Sequence, residues 1–421
     1  MRKFLVLLVS LVAVAALFYF FIGRLVIGVF YRAESLGPLE MFFDGRRIHP
    51  LSFYLQKGDI LFGTVLIWGL VTAVVLGVAR SLIRFLDWRR HHLILNTLVF
   101  SVSLLGSLVA AELVARAAGL KPLHWNSNQP EVSPGGRLMR NDPKFGYVLL
   151  PGSFSVKWPT GYISHSTHSA EGRRITHPPR RSGEPPKKNE IWLFGCSFTY
   201  GMSLNDNETY AWKLQEMFPD DEVVNFAVPG YGTYQSLMQF EEVLQKGNLP
   251  LIAVYAYASL HDERNTLLRK RQKGMAMVNP FGYRQPYVRL DRKGEFTHFM
   301  DDLKYRPFPL ARQSALAHLI EERLDEFEDY SVHSGEVTRR LIQRFEELAG
   351  QNHVRFIVAG IDSDSAKTLR KLEAMRIKTV DISVDLSTRE NRNWPHDSHP
   401  NAAANRKYAR KLLTFIITLI K

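Results

Sequence analysis

Ile191-Trp192-Leu193-Phe194-Gly195-Cys196-Ser197-Phe198-Thr199-Tyr200-Gly201 is apolar for the length of a strand, stops at a glycine and then presents a small polar pair. A little further on an amphipathic helical pattern begins, through Ala211, Leu214 and Phe218. That order places Ser197 on the turn after a buried strand. In open parallel sheets, ligands and chemistry collect at the loops that follow the strands. A serine there is a candidate nucleophile, which also needs a base, an acid to orient the base, and donors for the developing oxyanion.

The same alternation continues outward to the C-terminus. Apolar runs recur at Glu222 to Val228, Leu251 to Tyr257, Val354 to Ile361 and Ile377 to Ile382, with helical patterns between them around Leu237 to Leu244, Leu316 to Phe327 and Leu341 to Leu348. Asn401 to Ile420 closes the chain as an amphipathic helix. Five apolar runs alternating with helices predict an α/β domain with a five-stranded parallel sheet covered on both faces. Residues 261–313 interrupt the pattern as a basic, aromatic insert, with Arg264, Arg269, Lys270, Arg271 and Lys273 as its densest charge. This run reads either as a lid for an acidic glycan or phospholipid head group or as an ordinary solvated segment.

Upstream the composition changes. Phe4 to Ile22, Ile60 to Val78 and Leu93 to Ala111 are each apolar enough, and near enough to the roughly 20 residues of a bilayer span, to predict three transmembrane helices. Arg80, Arg84, Arg89 and Arg90 stand against Asp87 alone between the second and third. The positive-inside rule keeps that loop in the cytoplasm, so everything after about Gly119 is expected on the periplasmic or extracellular side of the cell membrane. Ala13-Val14-Ala15 after a basic start is also compatible with a signal peptide, and both readings leave the large domain on the same side. The expected division is a membrane region over 1–119, a Pro-rich basic linker over 120–188 that packs on the domain edge, and the α/β domain over 189–421. Within the linker, Phe145 to Leu150 and Ser153 to Trp158 are predicted to pair around Pro151-Gly152. Arg173-Arg174, Arg180-Arg181 and Lys187-Lys188 read as contacts to anionic lipid or polymer, or as solvated surface.

Of 421 residues only Cys196 is a cysteine, which excludes an internal disulfide. It reads as a small buried residue. The formal net charge of +13 does not point to nucleic acid, because the basic residues lie outside the cytoplasm or at its membrane face. No cluster has metal-ligand spacing, and neither a metal nor an organic cofactor is expected.

Three further stretches fall at strand ends. Asn225-Phe226-Ala227-Val228-Pro229-Gly230-Tyr231-Gly232 follows the second strand, and its glycines permit close approach of backbone N–H groups to a ligand. Ser259-Leu260-His261-Asp262 follows the third and offers a side-chain donor. Pro395-His396-Asp397-Ser398-His399-Pro400-Asn401 precedes the last helix, and a carboxylate two positions from a histidine can fix its tautomer. His396 reads as a surface or supporting residue.

Together these four stretches resemble the SGNH hydrolases, the GDSL-like lipase and acylhydrolase superfamily, over about Lys188 to Lys421. Gly195-Cys196-Ser197 is similar to that family's Gly-Asp-Ser block, with a cysteine for the Asp. The resemblance implies a flavodoxin-like αβα sandwich, Ser197 as nucleophile, His399 as base and Asp397 as its orienting acid. It implies an oxyanion hole from the N–H groups of Ser197 and Gly230. The family's third-block Asn is His261 here, either a replacement donor or a structural residue. The spacing of Asp397 and His399 resembles the polysaccharide acetylation branch.

Three classes of function follow. The first is a membrane-anchored serine esterase or O-acyltransferase acting outside the cytoplasm on acylated envelope or surface carbohydrate, with a multi-span membrane acyltransferase as a candidate partner. The second is a lipolytic esterase on membrane lipid or lipoprotein, and the third a non-catalytic assembly or glycan-binding protein that retains the fold.

Overall fold

The computed structural model describes residues 92–124, 129–179, 187–247, 249–276 and 281–420. The first two predicted membrane helices, the signal-peptide alternative and the Arg80 to His92 loop, apart from His92 itself, lie outside the described residues. The chain divides into two compact units, one of residues up to His124 with Pro307–Arg323, the other Trp125–Arg306 with Leu324–Lys421.

In the first unit, α1 (His92–Ala117) contains the third predicted span. Its window Val99–Ala117 is long and apolar enough to cross a membrane, and Phe100, Leu105, Leu108, Val109 and Leu113 are all exposed. Near its end the Glu112 carboxylate accepts hydrogen bonds from Ser314 Oγ at 2.6 Å and from the N–H groups of Ala315 and Leu316 at 2.9 Å. It thereby caps a helix whose first N–H groups have no partner of their own.

The second unit opens with five short strands, β1 (Glu131–Ser133), β2 (Met139–Asp142), β3 (Gly146–Leu149), β4 (Gly152–Lys157) and β5 (Ile163–His168). The region expected as a linker is therefore largely folded. The predicted pairing across Pro151-Gly152 is also corrected. β3 pairs back to β2, and β4 pairs antiparallel with β1 and β5. Proline has no N–H for a ladder and Gly152 turns the chain at φ 122°, so the two strands diverge instead of folding onto each other.

Next come β6 (Glu190–Phe194), the single-turn helix α2 (Ser197–Tyr200), α3 (Tyr210–Met217), β7 (Glu222–Asn225), α4 (Thr233–Gln245) and β8 (Ile252–Tyr257). The insert is built of α5 (His261–Asn265), α6 (Arg269–Ala276) and a hairpin of β9 (Arg284–Leu290) with β10 (Phe296–Asp302). After it come α7 (Ala315–Val332), α8 (Ser334–Gln351), β11 (Arg355–Gly360), α9 (Ala366–Ala374), β12 (Thr379–Asp381) and α10 (Ala402–Ile420).

The five predicted runs form one parallel sheet in the order β12-β11-β8-β6-β7. Side chains alternate across it. Trp192, Phe194, Tyr255 and Phe356 pack with Leu237 and Phe240 of α4, Val337 and Phe345 of α8 and Leu369 of α9. Ile191, Leu193, Val254 and Ile357 pack on the opposite face with Tyr210 and Leu214 of α3 and Tyr408, Leu412 and Ile416 of α10. Burial on both faces is why these strands read as continuous apolar runs. The order reverses between β6 and β8, so the carboxyl ends of β6, β7 and β8 border the crevice where such sheets hold ligands.

Candidate active site

Ser197 is the first residue of α2, so the turn expected to hold it is already helical. Gly195 permits the tight exit from β6, since a Cβ there would lie 2.4 Å from Thr199 Oγ1. Thr199 is itself fixed: its Oγ1 meets the Tyr210 hydroxyl at 3.1 Å and its carbonyl accepts from Asn225 Nδ2 at 3.0 Å. Cys196 is buried in the core beneath, beside Ala256 and Ala258 in one apolar cluster.

Ser197 Oγ lies 2.9 Å from His399 Nε2, and His399 Nδ1 lies 2.6 Å from Asp397 Oδ2. The three residues predicted from two distant stretches are thus joined in one hydrogen-bonded series. Burial raises the Asp397 carboxyl, but the adjacent His399 and the hydrogen bonds from His399 and the Ser398 N–H outweigh it and hold the group below the ordinary aspartate value. An ionised Asp397 accepts from Nδ1–H, which leaves Nε2 as the acceptor for a serine proton. Phe198 stands edge-on to the His399 ring, with centroids 5.7 Å apart.

The loop of His399 is held at several points. Asn393 N–H donates to His399 O at 2.9 Å, the N–H groups of His396 and Asp397 both donate to Asn393 O at 2.9 Å, and Asn393 Nδ2 reaches Ser203 O at 3.0 Å. His396 stays outside the triad. Its Nδ1 meets Thr160 Oγ1 at 2.7 Å and its ring stacks on Tyr162 at 4.5 Å, so the turn between β4 and β5 braces the loop.

Gly230 has φ 87°, and a Cβ on it would lie 2.5 Å from the Tyr147 hydroxyl and 3.0 Å from Arg271 Nη2. Only glycine fits. Among the described residues neither the Ser197 N–H nor the Gly230 N–H enters a backbone hydrogen bond outside helices and strands.

His261 is fully buried and makes no hydrogen bond to Ser197, His399 or Asp397 among the described residues. Its Nδ1 meets the Tyr255 hydroxyl at 2.6 Å and receives the Ala258 N–H at 3.4 Å. Tyr255 in turn meets Thr233 Oγ1 at 2.7 Å, which accepts from Asn265 Nδ2 at 2.9 Å. Donors converging on Nδ1 assign the proton to Nε2, and that N–H has no partner among the described residues. Burial, with Arg264 and Arg271 nearby, drives the ring far below the usual imidazole range and keeps it neutral.

The basic run of the insert is not uniformly a lid. Arg264 is buried and donates to Tyr231 O at 2.8 Å; Arg271 is buried, with Nε on Gln285 Oε1 at 3.0 Å and Nη2 on Gly230 O at 2.8 Å. These two guanidiniums hold backbone instead of facing solvent. The same correction applies to Arg174. Its Nε donates to Asp206 Oδ1 at 2.9 Å, and its remaining donors reach the carbonyls of Tyr200, Gly201, Leu204 and His165. Arg173 lies over the Phe226 ring at 4.2 Å. Arg174 thus pins the segment after α2, a role sequence reading missed because its only signal was an arginine in a proline-rich stretch.

No family model matches this chain, and no curated protein matches it. Similar solved structures include a lipolytic protein of the G-D-S-L family from Veillonella parvula, at 14% identity and a TM-score of 0.32, covering 54% of this chain and 98% of that one. The psychrotrophic esterase EstA from Pseudoalteromonas is similar at 10% identity and 0.33, covering 55% and 99%. A catalytic mutant of Axe2, an acetylxylan esterase from Geobacillus stearothermophilus, is similar at 15% and 0.29, covering 55% and 94%.

Proposed function

We propose that this chain is a serine acyl enzyme that works on esters through Ser197, His399 and Asp397. The observation that supports it is the series Ser197 Oγ, His399 Nε2 and Nδ1, Asp397 Oδ2, at 2.9 and 2.6 Å, between residues that the sequence separates by 202 positions. His399 takes the proton of Ser197 as the oxygen attacks an acyl carbonyl, and Asp397 orients the imidazolium that forms. The Ser197 and Gly230 N–H groups receive the oxyanion. His261, buried to its Nε2 and bonded through Nδ1 to Tyr255, is read as a structural residue behind the site rather than as a third donor. His399 then returns its proton to the departing alkoxide, and a second nucleophile releases the acyl group. Water makes the protein an esterase and a sugar hydroxyl makes it an O-acyltransferase.

The apolar α1 and the charge pattern around it favour a membrane-anchored protein with this domain outside the cytoplasm. Acylated envelope or surface carbohydrate is then the substrate class, drawing also on the resemblance of the Asp397 to His399 spacing. The test is labelling of the detergent-solubilised full chain with a serine-directed phosphonate, mapped by mass spectrometry. A label on Ser197 that is absent from Ser197→Ala and His399→Ala is the expected result. A folded protein that takes no label supports a non-catalytic protein instead.

A further inference from the structure

Trp394 stands out among the tryptophans whose surroundings are described. Trp158 and Trp192 are buried and Trp212 is half-buried, but Trp394 is 57% exposed. No ring contact, hydrogen bond or ion pair engages it among the described residues. An indole left open to water forfeits the burial that usually stabilises it, by about 25 cal/mol per Å² of apolar surface.

The place of this side chain gives it a use. Asn393 N–H donates to His399 O, and Arg392 bridges Pro400 in antiparallel fashion. Across such a pair Cα atoms are about 5 Å apart, and the next residue along is 3.8 Å away, so the Cα of Trp394 lies within about 9 Å of that of His399. Its backbone sits inside the turn closed by two N–H groups on Asn393 O and braced by Thr160 and Tyr162. The loop is held without any contribution from the indole, and the indole is carried on a loop that is already rigid.

The same loop carries open polar groups. Arg392 uses Nε on Ser398 O, and His396 uses Nδ1 on Thr160, leaving the Arg392 Nη atoms and His396 Nε2 without a hydrogen bond among the described residues. A lipid-facing surface would require a contiguous apolar patch. A single aromatic face among open donors instead matches a sugar, whose C–H face packs on a ring while its hydroxyls take hydrogen bonds.

We propose that Trp394 is a stacking platform for a sugar residue of the substrate whose ester lies at Ser197, with Arg392 and His396 as its hydrogen-bonding rim. This deepens the serine acyl enzyme reading and rests on it. In the full chain, the ratio of kcat/KM for O-acetylated cellohexaose, chitohexaose or oligomannuronate to that for p-nitrophenyl acetate is compared between wild type and Trp394→Ala. We expect about a tenfold fall in that ratio for at least one saccharide, carried by KM, with Trp394→Phe recovering most of it. An unchanged ratio for all three overturns the proposal. So does a fall confined to p-nitrophenyl palmitate, which would make the indole a lipid contact. Calorimetry of the unacetylated saccharides with Ser197→Ala, against Ser197→Ala with Trp394→Ala, needs no turnover. Binding lost only in the double variant supports the platform even if phosphonate labelling fails, and binding equal in both sinks it even if labelling succeeds.

Discussion

The two sides of the crevice treat polar residues in opposite ways. On the side of α2 and the 392–400 loop, small polar groups carry the exposed chemistry, and Ser197, His399 and Asp397 are linked to one another. On the side of β8 and the insert, the residues that looked available for ligands are taken into the interior. His261 is bonded to Tyr255, Arg264 to Tyr231 O, and Arg271 to Gly230 O. A charge in a sequence announces a partner without saying whether that partner is a ligand or the protein's own backbone.

Substitutions test the contrast. Ser197→Ala and His399→Ala are expected to lower ester turnover by about 10⁴-fold, read by initial rates, with little change in the thermal midpoint. Equal activity in either variant would remove the triad. Asp397→Asn should cost about 10³-fold by disturbing the tautomer of His399. On the other side the loss should fall on stability. Arg271→Met leaves Gly230 O and Gln285 without their donor in a buried site, and denaturant unfolding should show a cost of about 3 kcal/mol. If it instead unfolds like wild type, the buried arginine is not holding the insert to the Gly230 loop.

Asp262 gives a pH-dependent case. Burial pushes its carboxyl up to about 6, against the hydrogen bonds from Thr338 and Tyr257 that lower it. Between the unfolded value near 4 and the folded value the native state keeps a proton that the unfolded chain has released, so stability contributed by this group falls as pH rises through that window. Asp262→Asn should therefore gain stability of about 1–2 kcal/mol above pH 6 and little below pH 4, measured as midpoints across that range. The smallest effect is expected from Lys270→Ala. Its side chain is 63% exposed and 3.8 Å from Glu263, and the change should be under about 0.5 kcal/mol.

The sheet was legible because strands buried on both faces, such as Ile191 to Phe194 and Ile252 to Tyr257, need no periodicity to be seen. Ser197, Asp397 and His399 were legible because each follows an apolar run or precedes a helix. Within 131–168 the strands at Gly146–Leu149 and Gly152–Lys157 were legible but their partners were not, since the inward positions of β5 are Ser164, Ser166 and His168, so alternation there carried no hydrophobic signal. Nor could spacing show that His261 points a protonated nitrogen away from Tyr255. That depends on the Ala258 N–H, Thr233 and Asn265, which meet only after the chain has folded.

Arg174 bears on how this protein can be cut. Its five N–H donors serve the carbonyls and carboxylate of His165, Tyr200, Gly201, Leu204 and Asp206, four of them just beyond Ser197. The turn of Ser197 is thus completed by a side chain that precedes the sheet in the chain. A fragment beginning at Asn189 would contain every strand of the sheet and every triad residue, yet its Ser197 turn would face water with those acceptors open. A fragment that keeps this turn closed is expected to need Arg174, and adding 129–188 back in trans to the shorter fragment should restore phosphonate labelling of Ser197.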